Sequence, residues 1–459
     1  MKILIATWGY PFAWQPTSYE FESIKKEQVK TTLPVLIEAL KPDKVLVIGT
    51  DTVLYKHNPI RECDEYTAEV KNIISTLNNT PKNQRYQEIK HIAKKLIKEF
   101  IETEVYPHIP QNFRNEKNIK VLINYNLGWY GSTNKCNPSI CGFDLRERTP
   151  YDYYANLFYL LYKELKPFLQ IADKLEIYLD VTHGINYMPI FALKAIEWLV
   201  SFISAEKEVY LTVINSEPIP QPNVKDIILK IFRVLEKTYK GDFFYKHLPT
   251  EWIEGKPKKL SPGFEKLFGV KSQEYRPDVE PFLASFIYGI PLGIKEFLPN
   301  LQEIENFVDK KIQEYESSIE VKVNTNNQCV TVKAPQLYKP LPKYVLAAIL
   351  TLFAQRIIKE NTQGCENFVT KIVEHFFEEP FKSILDRNIK TWKECNKNPS
   401  QETCGSEKCL GNSDEKANLR NLVSHSGLLH QCIDITKCSY GSNKQKVEKL
   451  LRDLLAEPR

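Results

Sequence analysis

The sequence predicts an α/β amino-terminal half, a Rossmann-like doubly wound sheet, followed by a mostly helical remainder. Two observations carry that expectation. Up to Asn215, short β-branched runs bounded by Gly, Asp or Asn alternate with longer amphipathic stretches, as buried parallel strands alternate with crossover helices. Beyond Asn215 the alternation stops and helical patterns dominate.

Strands are expected over residues 2–6, 44–49, 120–125, 175–179 and 209–214, with helices over 87–105, 151–169 and 187–202. The segment 216–223 holds three prolines and reads as a linker. Helices are then expected over 224–239, 279–297 and 302–317. A hairpin signal, SIEVKV and QCVTVK around a turn-prone Asn-Thr-Asn-Asn, interrupts them before the long helix 343–359. This divides the chain into an α/β domain over 1–220, a helical connector over 221–335 and an all-helical domain over 336–459.

Composition narrows the functional classes. With 459 residues, 42% hydrophobic and 26% charged, the chain is expected to be globular and to hold more than one core. Its 62 basic and 57 acidic residues leave a net charge of +5, so any nucleic-acid contact would be a local patch rather than a basic tail. The start MKILIATWGY reads as a strand rather than a signal peptide, and no apolar run approaches the ~20 residues of a membrane span. A cytoplasmic place and no membrane partner are expected. Among the ten cysteines, Cys136 and Cys141 bracket a tight Asn-Pro-Ser-Ile turn that could close as a small disulfide or stay two thiols. On the polar loop only Cys404 and Cys409 come near zinc-ligand spacing, so disulfides or free thiols are favoured over structural zinc and no metal is assigned.

The segment from Asn418 to Gly427, NLRNLVSHSG, carries the first candidate chemistry. Asn412 and Ser413 offer helix N-caps, Asp414 and Glu415 suit a first turn, and Gly427 suits a C-terminal cap. On a helix of about 3.6 residues per turn, Leu419, Leu422 and Val423 form an apolar stripe, leaving Arg420, Asn421, Ser424 and His425 on the polar half. Metal-free RNA cleavage needs a base for the ribose 2′-hydroxyl, an acid for the leaving 5′-oxygen and a cation for the phosphorane. His is the natural acid/base near neutral pH, and Arg the natural phosphate clamp. The last helical turn favours a protonated, proton-donating His425.

The second candidate is LDVTHGINYMP, beginning at Leu179. Asp180 ends a strand, Thr182-His183-Gly184 make a turn, and Asn186 and Pro189 suit the next helix start. Open α/β sheets bind phosphates at such strand–turn–helix positions. Other strand ends reach the same rim: Thr7, Trp8 and Gly9; Thr50, Asp51 and Thr52; and Trp129 in the third loop. These small, hydroxyl and aromatic residues fit a nucleotide pocket with ring stacking. The fingerprint G-x-G-x-x-G is absent after the first strand, which argues against a nicotinamide dehydrogenase.

Both segments resemble known families. Asp180-Val181-Thr182-His183-Gly184 is similar to the D-x-T-H-G signature of CARF domains (CRISPR-associated Rossmann fold) of the Csx type. Arg420-Asn421-Leu422-Val423-Ser424-His425 resembles the R-N-x3-H form of the HEPN ribonuclease motif. Together the order resembles the accessory ribonucleases of type III CRISPR systems. The resemblance implies a catalytic set of Arg420, Asn421 and His425, with products bearing a 2′,3′-cyclic phosphate and a 5′-hydroxyl. It implies single-stranded RNA as substrate and no required cofactor. It further implies activation by a cyclic oligoadenylate, with cyclic tetra-adenylate favoured because its ring has a two-fold axis matching a homodimer. Higher homo-oligomers stay open. Two alternatives remain: a ligand-controlled CARF transcription regulator, and a ring nuclease in which the CARF pocket also degrades its ligand.

Overall fold

The structure is a computed structural model. It describes residues 1–54, 63–131, 139–169, 174–185, 187–204, 207–218, 227–239, 276–324, 329–338, 341–360, 364–376, 381–397, 418, 422–424, 426–428, 432–433 and 438–456. Two compact units emerge: Met1–Val200 with Glu208–Tyr239 and Lys311–Lys339, and Ser201–Lys207 with Lys240–Lys310 and Pro340–Arg459.

In the first unit the strands are β1 (Lys2–Thr7), β2 (Thr17–Phe21), β3 (Ile24–Val29), β4 (Lys44–Thr50), β5 (Ile119–Asn124), β6 (Gly128–Gly131), β7 (Ser139–Leu145), β8 (Lys174–Asp180), β9 (Glu208–Ser216), β10 (Ile228–Tyr239), β11 (Glu320–Asn324) and β12 (Cys329–Lys333). The helices are α1 (Leu33–Leu40), α2 (Cys63–Asn79), α3 (Arg85–Glu104), α4 (Pro150–Leu169) and α5 (Tyr187–Ile203). One sheet runs β3-β2-β10-β9-β8-β1-β4-β5, and a second runs β11-β12-β7-β6. The centre of the first sheet, β9-β8-β1-β4-β5, is wholly parallel. Its strands are buried runs such as Ile3-Leu4-Ile5-Ala6 and Val45-Leu46-Val47-Ile48, as a sheet covered on both faces requires. From β1 the chain moves to β4 and β5 on one side, then returns to β8 and β9 on the other. The order therefore reverses between β1 and β8, the place where open α/β sheets leave a crevice at the strands' carboxyl ends.

The five expected strands and the helices α3, α4 and α5 form where the pattern placed them. Residues 228–239, expected to be helical, instead form β10, antiparallel to β9. A register shift between Arg233 and Leu235 breaks the two-residue period, so Ile228, Ile231, Phe232 and Leu235 fall at helical spacing without being helical. The expected hairpin exists as β11–β12, and β12 pairs in parallel with β7, which places it in the second sheet of the first unit. The β2–β3 and β6–β7 pairings were not anticipated.

The second unit is helical. Its elements are α6 (Glu280–Ile287), α7 (Pro291–Glu296), the first part of α8 (Leu301–Ser318), α9 (Leu341–Glu360), α10 (Cys365–Phe376), α11 (Phe381–Lys397) and α12 (Lys444–Ala456). The single helix expected over 279–297 is two, because Gly289 sits at φ 60° and Ile290 precedes Pro291, which disfavours helical backbone there. By length and composition α9 could cross a membrane, yet 72% of its apolar window is buried, with Val345, Leu346, Ile349 and Leu350 fully enclosed. It is a core helix. A disulfide joins Cys365 to Cys438 across 73 residues, and no cysteine is free among the described residues.

Candidate functional site

At the strand-order reversal, the loops after β1 and β8 are tied together. Thr7 Oγ1 donates to the Asp180 carbonyl at 3.3 Å, and Gly9 N–H donates to the His183 carbonyl at 2.8 Å. Asp180 is buried; its carboxylate accepts Thr32 Oγ1 at 2.5 Å and Thr182 N–H at 3.0 Å. The Asp of the turn thus fastens the loop to the start of α1 and leaves Thr182, His183 and Gly184 partly exposed on the rim. A Cβ on Gly184 would lie 2.6 Å from Pro189 Cγ and 2.8 Å from Thr7 Oγ1, so only glycine fits this close approach.

His183 is held on two sides. Its Nε2 accepts the Thr32 N–H at 3.3 Å, which puts the ring proton of the neutral form on Nδ1. The Trp14 ring lies 4.2 Å away at 30°, nearly parallel. Burial pushes the imidazole down to about 4, against the smaller opposing pull of Asp180. At neutral pH His183 is therefore a neutral hydrogen-bonding group. A folded value of about 4 against the ordinary 6.5 means the unfolded chain takes up the proton first as pH falls. Stability from this residue is complete above about 6.5 and lost between there and about 4, roughly 3 kcal/mol in all. Thermal melts from pH 7.5 to 4.5 should show a shallower acid decline for His183→Gln than for wild type; parallel declines would refute it.

The loops after β4 and β5 form the other side. Thr50 and Thr52 hydroxyls lie 3.1 Å apart, and the Asn126 amide reaches both. Asn126 Oδ1 accepts the Tyr187 hydroxyl at the start of α5, and Leu127 N–H donates to Tyr187 Oη at 3.2 Å. Asp51 is wholly buried: Oδ1 accepts Asn126 N–H at 2.9 Å, while Oδ2 accepts Tyr86 Oη and Arg148, each at 2.6 Å.

Among the expected rim residues, then, Thr7, Gly9, Thr182, His183 and Gly184 converge at the crevice. Thr50, Asp51 and Thr52 lie beneath the rim as buried supports. Trp8, expected as a stacking ring, is 0% exposed, edge-on to Trp14 and Phe100, and belongs to the core. Trp129, on β6, is 64% exposed and covers Gly131. Asn186 lies outside the described residues. Sequence reasoning passed over Trp14, Thr32, Asn126, Tyr187 and Arg148. The Thr-Thr-Leu-Pro start of α1 was a legible helix signal that could have flagged Thr32.

In the second unit, Arg420, Asn421 and His425 lie outside the described residues. Their described neighbours mark a helix end. Gly427 N–H donates to Leu422 O at 2.7 Å and Ser426 N–H to Val423 O at 3.0 Å, with Ser426 and Gly427 at φ 53° and 70°. This is the expected Gly-terminated cap. Leu422 is buried, as the apolar stripe required, and Asn388 of α11 donates to Ser424 O at 3.0 Å and Ser426 Oγ at 2.8 Å.

Residues 3–218 match the family model described as CRISPR system endoribonuclease Csx1, CARF domain. The matched stretch, a little under half of the chain, is similar to that domain. The match spans the central parallel sheet and its rim loops, so the crevice between β1 and β8 lies within the stretch that resembles a CARF domain. CRISPR system endoribonuclease Csx1 of Methanocaldococcus jannaschii is 26% identical over 333 residues, covering 70% of this chain. The chain spans 60% of the length of that curated relative. A solved structure, Enterococcus italicus Csm6 bound to cyclic hexa-2'-fluoro-hexa-dAMP, overlaps 98% of this chain and 99% of that one, at 11% identity and a TM-score of 0.24. An overlap that low establishes no shared fold.

Proposed function

We propose that the chain is an endoribonuclease switched on by a cyclic oligoadenylate bound in the CARF crevice, acting in type III CRISPR defence from the cytoplasm. The observation that carries this reading is the Csx1-type CARF match over residues 3–218, joined in one chain to the Arg420-Asn421-x3-His425 motif. The ring would lie over the β1 and β8 loops, with Thr182 and His183 offering side-chain hydrogen bonds. Gly9 and Gly184 would let its phosphates approach the backbone, and Trp129 and Asn186 would reach it from neighbouring loops. A second copy of the chain would complete a symmetric cleft for a symmetric ring, and cyclic tetra-adenylate is the ring we favour.

In the helical unit, Arg420 would stabilise the charge of the phosphorane while His425 moves a proton and Asn421 orients the scissile phosphate. Single-stranded RNA would be cut to 2′,3′-cyclic phosphate and 5′-hydroxyl ends. The test is cleavage of labelled single-stranded RNA in chelator, with and without cyclic tetra-adenylate. Cleavage that rises at least about tenfold with the ring is expected, within the usual range of allosteric coupling. No cleavage with any ring size would overturn the reading.

A further inference from the structure

Beneath the rim of the first unit lies a buried polar cluster that ligand contacts alone do not explain. Arg148, which precedes α4, is 0% exposed at its side chain and spends four hydrogen bonds inside the protein. One guanidinium nitrogen donates to Asp51 Oδ2 at 2.6 Å and to the Asn126 carbonyl at 3.0 Å; the other donates to Tyr86 Oη at 2.9 Å. Nε donates to Tyr315 Oη at 2.7 Å. The guanidinium also lies 4.9 Å from the centre of the Tyr125 ring. Beside it, Tyr125 Oη donates to Glu316 at 3.1 Å, and Lys90 pairs with the same carboxylate.

Two consecutive rim-loop residues, Tyr125 and Asn126, are therefore joined to two consecutive residues of α8, Tyr315 and Glu316. The first link is direct and the second runs through Arg148. Both backbone polar groups of Asn126 are committed, its N–H to Asp51 and its carbonyl to Arg148. A displacement of this loop cannot be absorbed locally, because a close-packed, fully hydrogen-bonded interior has few alternative arrangements. Along the sequence, α8 belongs to the first unit from Lys311 onward and to the helical unit before it.

We infer that Arg148 and Tyr315 are positioning residues that transmit ring binding from the loop after β5 to α8, and so set the activity of the helical unit. This rests on the proposed function and adds the route. Neither residue touches the ring, and neither belongs to the cleavage site.

The test uses the full chain with Tyr315→Phe, which deletes one hydroxyl and keeps the ring. Melting temperature is recorded first, and Glu316→Gln is carried alongside and read the same way should the first variant fold poorly. Affinity for labelled cyclic tetra-adenylate and RNA cleavage at saturating ring are then measured. The expected result is ring affinity within about threefold of wild type, with stimulation of cleavage reduced about tenfold or more. A merely structural role would lower affinity and stimulation together. Stimulation within twofold of wild type, or parallel loss of binding and stimulation, overturns the coupling. Wild-type protein that cleaves RNA with no response to any ring removes the functional reading and the coupling with it, so the two failures are distinguishable.

Discussion

Replacing Arg148 with alanine is expected to destabilise the first unit by about 3–5 kcal/mol, the usual consequence of removing one partner from a buried ion pair. Asp51 would keep its hydrogen bonds from Asn126 N–H and Tyr86 Oη but lose the Arg148 charge, in a site where both partners' side chains are 0% exposed. Tyr86 and Tyr315 would each lose a donor as well. Burial pushes the Tyr86 hydroxyl well up and Tyr315 up to about 12, and the arginine charge acts the other way on both. For a unit of this size the melting temperature should drop by roughly 10 °C. The double variant Asp51→Asn/Arg148→Met is the control: taking out both charges removes the uncompensated carboxylate, so it should be more stable than Arg148→Ala. A double variant that melts no higher than the single one would show that shape and hydrogen bonds, rather than charge, hold this cluster together.

The same pair shows what a single sequence makes legible. Asp51 stood out because it follows a strand end, and that position suggested a ligand contact. Its partner lies 97 residues away, and nothing local marks Arg148 as its counter-ion. Asp180 is different. Its neighbours Thr182 and Gly184 are local, so strand, turn and helix start could all be read from one short segment. The buried parallel strands were equally plain, being continuous apolar runs. The strands beyond β9 were not: β2 and β3 carry charged residues, and β10 hides its period behind a bulge. Trp8 shows a third limit, since an aromatic at a strand end is read the same way whether it faces a pocket or the core. Its place was settled by Trp14 and Phe100 packing around it.

His425→Ala should lower the rate of RNA cleavage by roughly 10²–10⁴-fold, the span that a positioned proton-transfer group contributes. Arg420 would still supply its charge to the phosphorane, so residual activity above background is expected, and Arg420→Ala/His425→Ala should lose less than the product of the two single losses. The motif and the crevice belong to different units. Affinity of the His425→Ala chain for cyclic tetra-adenylate should therefore stay at the wild-type value, while cleavage at saturating ring is lost. The two measurements on one variant divide the reading into separable parts. Lost cleavage with intact binding supports His425 as a proton-transfer group and the crevice as an independent sensor. Intact cleavage would move the chemistry away from the helix that ends at Ser426 and Gly427, whatever the ring does.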